Sequence, residues 1–539
     1  MLKRIISTLL LFSFLSACAQ ATPTVVPTQT ATPVPETEPA NWWNEAVFYE
    51  IFVRSFNDSN GDGIGDFNGI TQKLDYLQEL GVTAIWLMPI HPSPSYHGYD
   101  VINYYNVNYQ YGTMADFKNL LNEAHKRNIK IIIDLVLNHT SSQNPWFKEA
   151  EKDTNSPYRN WYIWSETDPG YQGPWKERVW HSSSTSGFYY GIFTGFMPDL
   201  NYNNPEVTKE MNKVVTFWLT DVGVDGFRLD AAKHLIEENT AQQDTPSTHA
   251  WLKRFYTAYK LQNPQAYTVG EVVSAGASAI KSYTGDQIDH VFNFEMSSGF
   301  VNSVKGGGNS GVVSAFKFAF QDMPDFNYAT FLTNHDQNRV MSVFNGDINK
   351  AKVAASLMLT SPGTPFIYYG EEIGMVGVKP DEDIRVPMQW SNTDNAGFST
   401  ATPWRAPNAD YTTVNVDAQN EDADSLLNHY RTLIQLRKDH PALLAGDATL
   451  IDTGNTALFA LLRNSGNESI LIVVNLGKDA ITDYSLSLKE NKLPDGSLSP
   501  TALFGAAQIQ PLESAKGMFS DYKPLDEIAA YQTVIIKLK

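Results

Sequence analysis

The chain has 539 residues, 42% hydrophobic and 12% aromatic, and a formal net charge of -19. That length exceeds one ordinary domain and suits a barrel of roughly 250 residues or more with a smaller domain attached. So acidic a chain argues against nucleic acid or an anionic membrane surface as a partner, since both reward clustered Lys and Arg. A neutral substrate is compatible with the charge, although solubility accounts for it equally well.

The chain opens with MLKR, an apolar run IISTLLLFSFL, and Ser16-Ala17-Cys18. This is the pattern of a secretory signal peptide, residues 1–17, with an apolar run too short for a membrane span. Leu15-Ser16-Ala17-Cys18 resembles a bacterial lipobox, which implies cleavage before Cys18 and a lipid on its sulfur. The mature protein is then expected outside the cell, anchored to the cell surface or outer membrane. Cys18 is the single cysteine, so no intramolecular disulfide can form. Residues 18–41, with TPTVVPTQTATPVPETEP, hold too few large apolar residues for a core and read as a disordered tether.

From Trp42 apolar runs alternate with amphipathic segments. The expected strands are 46–56, 82–90, 129–139, 224–230, 267–272, 288–296, 329–336 and 364–372. DFNGITQKLDYLQELG and MADFKNLLNEAHKRN read as intervening helices. Eight strands alternating with helices predict an α/β chain folded as a (β/α)8 TIM barrel, whose active site lies at the C-terminal strand ends. Barrel residues are expected at 42–138 and 202–440. After about Pro441 short strands such as SILIVVNLG and YQTVIIKLK take over.

Polar residues gather at the expected strand ends: Asp134, Asn138 and His139 on the third, Arg228 and Asp230 on the fourth, Glu271 on the fifth, His335 and Asp336 on the seventh. Arg228 and Asp230 share one face of a strand. A buried structural ion pair would explain that pair alone, a helix cap a lone Asp, and core packing a lone His. Several strand ends carrying carboxylates or imidazoles to one rim point instead to catalysis. Converging carboxylates, with no cysteine and few histidines positioned for nucleophile–base pairs, suit glycoside hydrolysis, which needs one carboxylic acid and one carboxylate of different pKa. Arg228 would keep Asp230 ionised. Glu271 has no neighbouring cation in the sequence and is the better protonated acid.

DLVLNHTS, GFRLDAAKH, VGEV and FLTNHD resemble the successive signature regions of glycoside hydrolase family 13, the α-amylase family, and MPDLN (197–201) resembles a further one. The resemblance runs from Trp42 to the C-terminus. It implies a retaining mechanism with Asp230 as nucleophile, Glu271 as general acid and base, and Asp336 binding sugar hydroxyls. It implies that Arg228 positions Asp230, that His139 and His335 bond the sugar before the scissile bond, and that Tyr99 stacks on it, with His97 nearby. It also implies an inserted domain after strand three, residues 139–201, and a C-terminal antiparallel β-sandwich domain, residues 441–539. The insertion is rich in tryptophan, including Trp175, although most such rings are expected to pack on one another.

NDSNGDGIGD (57–66) begins like an EF-hand loop, but its twelfth position is Gly69 and an Asx-rich turn explains it as well. Similar amylases bind calcium in such loops, which implies Asp58, Asn60, Asp62, Asp66 and the Ile64 carbonyl as ligands. The same resemblance implies a second, interdomain calcium on Asn138, Asp199 and the His234 carbonyl.

For specificity the motifs divide. MPDLN, GDGIGD and VPMQW (386–390) resemble oligo-1,6-glucosidases; Lys233-His234 and Ala231 resemble α-amylases. The mixture resembles a subgroup intermediate between oligo-1,6-glucosidases and neopullulanases. It favours endo-cleavage of α-1,4 bonds in starch, glycogen and maltooligosaccharides by a monomer, with Lys233 and His234 binding sugar on the leaving-group side. The alternatives are an oligo-1,6-glucosidase or α-glucosidase, a transglycosylase, or a non-catalytic starch-binding or transporter-partner protein.

Overall fold

A computed structural model describes residues 41–539 except Ser274 and Ala275; the expected signal peptide, Cys18 and nearly all of the tether lie outside the described residues. Eight parallel strands close into a barrel in sequential order: β1 Phe48–Ile51, β2 Ala84–Leu87, β3 Lys130–Leu135, β4 Gly226–Leu229, β5 Tyr267–Gly270, β6 His290–Phe292, β7 Tyr328–Thr330 and β8 Thr364–Tyr368. Inward-facing residues fill its lower interior. Phe48 stacks on Phe366 at 4.2 Å, and Trp86, Ile132, Tyr267, Val269 and Phe292 belong to the same cluster. The barrel is therefore a packed core with polar groups left at its upper rim.

The strands are shorter than the apolar runs that announce them. The run 46–56 divides into β1 and a helical turn, Val53–Phe56, and 288–296 into β6 and the start of a helix, Phe294–Gly306. Val53 and Phe56 are fully buried although they are not extended. Hydrophobicity reports burial, and in a barrel the first turns after a strand are buried too.

The surrounding helices follow local rules. In Met114–Lys126, Phe117, Leu120, Leu121 and Ala124 repeat at helical spacing and all are buried. Thr113 and Asp116 form a reciprocal capping box at its start, satisfying two end amides.

Between β3 and β4 the chain builds a lobe with a three-stranded antiparallel sheet, Trp164–Ser165, Phe188–Tyr190 and Trp180–Ser182. Its entry and exit are joined: His139 and Asp199 form a bridge, and Leu200 N–H donates to the Asn138 carbonyl at 2.9 Å. The C-terminal part carries a five-stranded antiparallel sheet and two small two-stranded sheets, around a core including Leu458, Leu471, Val473 and Ile536.

Two buried arginines lie where the barrel meets this sheet, Arg437 on the helix Leu426–Asp439 and Arg463 on the sheet strand Leu458–Ser465. Arg437 donates to the Leu359, Ser361 and Gly363 carbonyls, and Arg463 donates to Thr360 at 2.7 Å and Gly446 at 2.9 Å. Both satisfy backbone carbonyls around the 359–363 turn, and Arg463 thereby joins the sheet to the barrel through Thr360. Arg463→Met keeps the length but removes the donors, and should cost about 2–4 kcal/mol in urea unfolding. A loss within experimental error would mean that water replaces the guanidinium at no cost.

Candidate active site

Arg228 sits in β4, opposite Asp134 of β3 in the sheet register. The neighbouring β5 approaches β4 so closely that a Cβ at Gly226 would lie 2.0 Å from the Tyr267 carbonyl oxygen, so no larger residue fits there. Immediately beyond β4, Ala231 takes a left-handed conformation, φ 48°, and turns the chain sharply after Asp230. Glu271 follows β5 directly, and Asp336 follows β7 on its loop.

The guanidinium of Arg228 is shared. One terminal nitrogen, Nη1, donates to Asp230 at 2.6 Å, to Asp134 at 2.8 Å and to the Tyr99 hydroxyl at 3.3 Å; Nη2 donates to Glu271 at 2.5 Å. Its side chain is 1% exposed. The expectation that Glu271 lacks a cation is therefore corrected. The partner is Arg228 itself, brought there by strand neighbourhood that sequence separation conceals. Burial raises the carboxyl pKa of both Glu271 and Asp230, and Arg228 opposes it at each. Burial pushes Asp134 up to about 7 against the same cation.

Asp336 is the opposite case. Its side chain is 44% exposed. Burial of its surroundings raises its pKa, but His335 at 3.2 Å and Arg385 at 2.8 Å overcome that and hold it well below the usual carboxylate range. His335 is fully buried; Asp336 and Glu50 outweigh that burial and raise its pKa to about 10. Its Nδ1 faces Glu50 at 2.5 Å and its Nε2 the Tyr99 hydroxyl at 2.7 Å. The Tyr99 ring stacks against His335, with centroids 5.8 Å apart, and against His97 at 6.0 Å.

His139 is buried and its pKa falls to about 4, so the ring is neutral. Its Nε2–H donates to the Tyr99 carbonyl at 3.2 Å, which leaves Nδ1 as an acceptor, and that atom is buried without a protein partner. An acceptor in that position suits a hydroxyl donor from a ligand. Lys233 Nζ donates to the Val273 carbonyl at 2.7 Å, and His234 Nδ1 meets the Gln242 carbonyl at 2.9 Å.

These groups line one cleft of about 400 Å³: His97, Tyr99 and His139 together with Asp230, Glu271 and Asp336. Lys233, His234, Trp175 and Phe193 also line it. Trp175 is 58% exposed, its ring beside Phe193 at 5.8 Å and His234 at 5.5 Å. Arg385 and Asp381 complete the wall and were not foreseen. Arg385 lies one residue before the VPMQW motif, where the only signal was a cation beside a recognised stretch. Glu50 had a clearer one, a single acid inside an apolar strand.

The cation candidates are of two kinds. Asp58 accepts from the amides of Asn60, Gly61 and Gly63 and from the Ser399 hydroxyl, so all four lone-pair sites are taken. Asp66 accepts from Ser59 and Gly69, and Asp62 from Ile64 N–H. Between barrel and inserted lobe, Asn138 Nδ2 donates to Asp199 at 3.0 Å and to the His234 carbonyl at 3.3 Å, while its Oδ1 is buried without a partner. Turning that amide over brings three oxygens to one point, a hard-oxygen set suited to calcium. Among the described residues no three His, Cys, Asp or Glu side chains form a metal-holding group.

Residues 50–446 match the family model described as the catalytic domain of alpha-amylase. The chain is 43% identical over 459 residues to alpha-amylase 3 of Dictyoglomus thermophilum, covering 84% of this chain and 89% of that one. It is 34% identical over 515 residues to an oligo-1,6-glucosidase of Parageobacillus thermoglucosidasius, covering 81% and 91%. A crystal structure of an alpha-amylase from H. orenii superposes with a TM-score of 0.80 at 39% identity, covering 92% of this chain and 99% of that one.

Proposed function

Since the chain belongs to the alpha-amylase family of glycoside hydrolases, family 13, we propose that it is a retaining, endo-acting α-amylase that cleaves α-1,4 bonds in starch and maltooligosaccharides. The observation that carries the reading is the pairing of Asp230 and Glu271 to the two ends of one guanidinium, with Asp336 on the same cleft. Bound to one planar group, the two carboxyls stand side by side, as double displacement requires.

In this reading Glu271, whose carboxyl pKa burial raises, acts as the acid and gives its proton to the glycosidic oxygen as the bond from that oxygen to the anomeric carbon breaks. The ionised Asp230 carboxylate attacks the anomeric carbon and forms an ester. Water then gives a proton to Glu271 and attacks the same carbon, which releases Asp230 and restores both groups. Asp336, held ionised by His335 and Arg385, accepts hydrogen bonds from ring hydroxyls. The buried Nδ1 of His139 accepts from another.

The α-1,4 reading is supported by the Trp175–Phe193–His234 face, an aromatic platform beside Lys233 on which a further sugar ring can lie, and by the identity to alpha-amylase 3. An oligo-1,6-glucosidase is the second reading, favoured by the MPDLN and VPMQW motifs and by the 34% relative. A product time course on soluble starch and panose separates them. Early maltooligosaccharides from starch with panose untouched support the α-amylase. Glucose mainly from panose with inert starch assigns the chain to the second reading. Asp230→Ala should lower kcat/KM by about 10⁴-fold or more while the protein still folds and binds oligosaccharide. Parent activity in that variant would end the nucleophile assignment.

Calcium is proposed as a structural ion. Asn138, Asp199 and the His234 carbonyl would hold one ion at the joint of barrel and lobe. In the 57–66 loop, Asp58 would exchange the Ser399 hydroxyl for a second ion, with Asn60, Asp62, Asp66 and the Ile64 carbonyl. Neither ligand set includes Asp230, Glu271 or Asp336, so calcium would supply rigidity rather than chemistry. At about 100 times its Kd, one ion adds about 2.7 kcal/mol of stability. The melting temperature should therefore rise with calcium and fall with EDTA, and indifference to both would remove the ion from the account. The lipobox motif supports an extracellular enzyme tethered through a lipid on Cys18, close to polymeric substrate.

A further inference from the structure

The mechanism above leaves Glu50 without a role, yet Glu50 is 2% exposed, on the inner face of β1, in a strand otherwise made of Phe48, Tyr49 and Ile51. Burying a carboxylate there is costly unless a partner compensates it. The partner is His335, and it lies 285 residues away in sequence. We propose that Glu50 is a positioning residue of the active site, which fixes the tilt and the double protonation of the His335 ring so that its Nε2–H faces Asp336 and Tyr99. The proposal rests on the glycosidase reading of the cleft.

The geometry constrains the ring from both ends. Glu50 Oε1 stands 2.5 Å from Nδ1, and a carboxylate accepts only, so Nδ1 carries a proton. Asp336 Oδ2 stands 3.2 Å from Nε2 and the Tyr99 hydroxyl 2.7 Å, and a proton on Nε2 lets the ring offer its charge to Asp336. Trp86 meets the ring edge-on at 5.5 Å and Tyr99 stacks on it, so it cannot turn. With a carboxylate beside each nitrogen, the surroundings favour the imidazolium, in which Nε2–H faces Asp336 and the Tyr99 hydroxyl. Its charge is then available to Asp336, the acid that must remain ionised beside other carboxylates. The remaining charged groups facing His335 are Asp134 on β3, Arg228 and Asp230 at β4, Glu271 after β5 and Arg385, which donates to the His335 carbonyl at 2.9 Å. In this group acids outnumber the arginines, and the His335 charge lessens that excess.

The sign follows from the charges. With Glu50 present, the His335 pKa of about 10 keeps the ring charged throughout the neutral range. Glu50→Gln preserves the acceptor oxygen but removes the charge, so His335 loses its proton at lower pH. Activity of the variant should approach the parent from acid to neutral pH and fall away about one pH unit earlier on the alkaline side. Glu50→Leu removes the acceptor as well. It should lower kcat by about 100-fold at every pH with a smaller change in KM, and the Gln variant should restore activity at every pH below its own alkaline limb.

The test is the pH profile of kcat/KM for the parent, Glu50→Gln and Glu50→Leu on the better of starch and panose, with thermal melts at pH 6 to confirm folding. An NMR titration of His335 is read in parallel, its resonances assigned by their loss in His335→Asn. The expected result is an earlier alkaline limb in Glu50→Gln together with a lowered His335 pKa. A Gln profile that overlays the parent, or an unmoved His335 titration, overturns the proposal. A uniform drop in all variants with unchanged pH dependence assigns Glu50 a structural role only and overturns it too. A parent inactive on both substrates refutes the glycosidase reading, while the His335 titration still decides the part played by Glu50.

Discussion

One buried guanidinium organises the reacting end of this molecule. Arg228 is held between Asp134, Asp230 and Glu271, with the Tyr99 hydroxyl as a further acceptor. A cation so enclosed cannot be left half-paired, because burying an uncompensated charge costs several kcal/mol. The carboxylates must therefore come to it, and they lie at the ends of three neighbouring strands, β3, β4 and β5. The closure of the barrel and the assembly of these carboxylates are thus one event. A shift of β4 by one residue would turn Arg228 away from the interior and scatter all of its partners.

The same rim separates its acids by environment. Asp230 and Glu271 share an arginine and are raised by burial, whereas Asp336 opens to the cleft and faces two cations of its own. Like residues placed a few ångströms apart thereby acquire different protonation behaviour.

Much of this was legible in the chain. The eight strands alternate with helices plainly, and Asp134, Asp230, Glu271 and Asp336 stand where their strands run out. What sequence could not express was neighbourhood. Glu271 looked isolated because its arginine lies 43 residues before it, and Glu50 passed unnoticed because its histidine lies 285 residues after it. Strand limits were overdrawn for another reason. Val53 and Phe56 are as buried as the strand before them, so an apolar run carries no mark of where extension ends and a helical turn begins. Trp175 could not be told from its neighbours, since a tryptophan that packs and one that lies open to a cleft are written alike.

The inserted lobe leaves and rejoins the barrel at almost the same place, where His139 pairs with Asp199. A segment whose ends are stapled together behaves as a closed loop on the rim, and the entropy of closing such a loop grows only slowly with its length. Its contents can be lengthened, shortened or exchanged with little strain on the register of β3 and β4. Since Trp175 and Phe193 reach the cleft from this lobe, one wall of the cleft is modular while the chemistry remains fixed in the barrel. New specificities can arise by replacing a cassette, without altering the residues that break the bond.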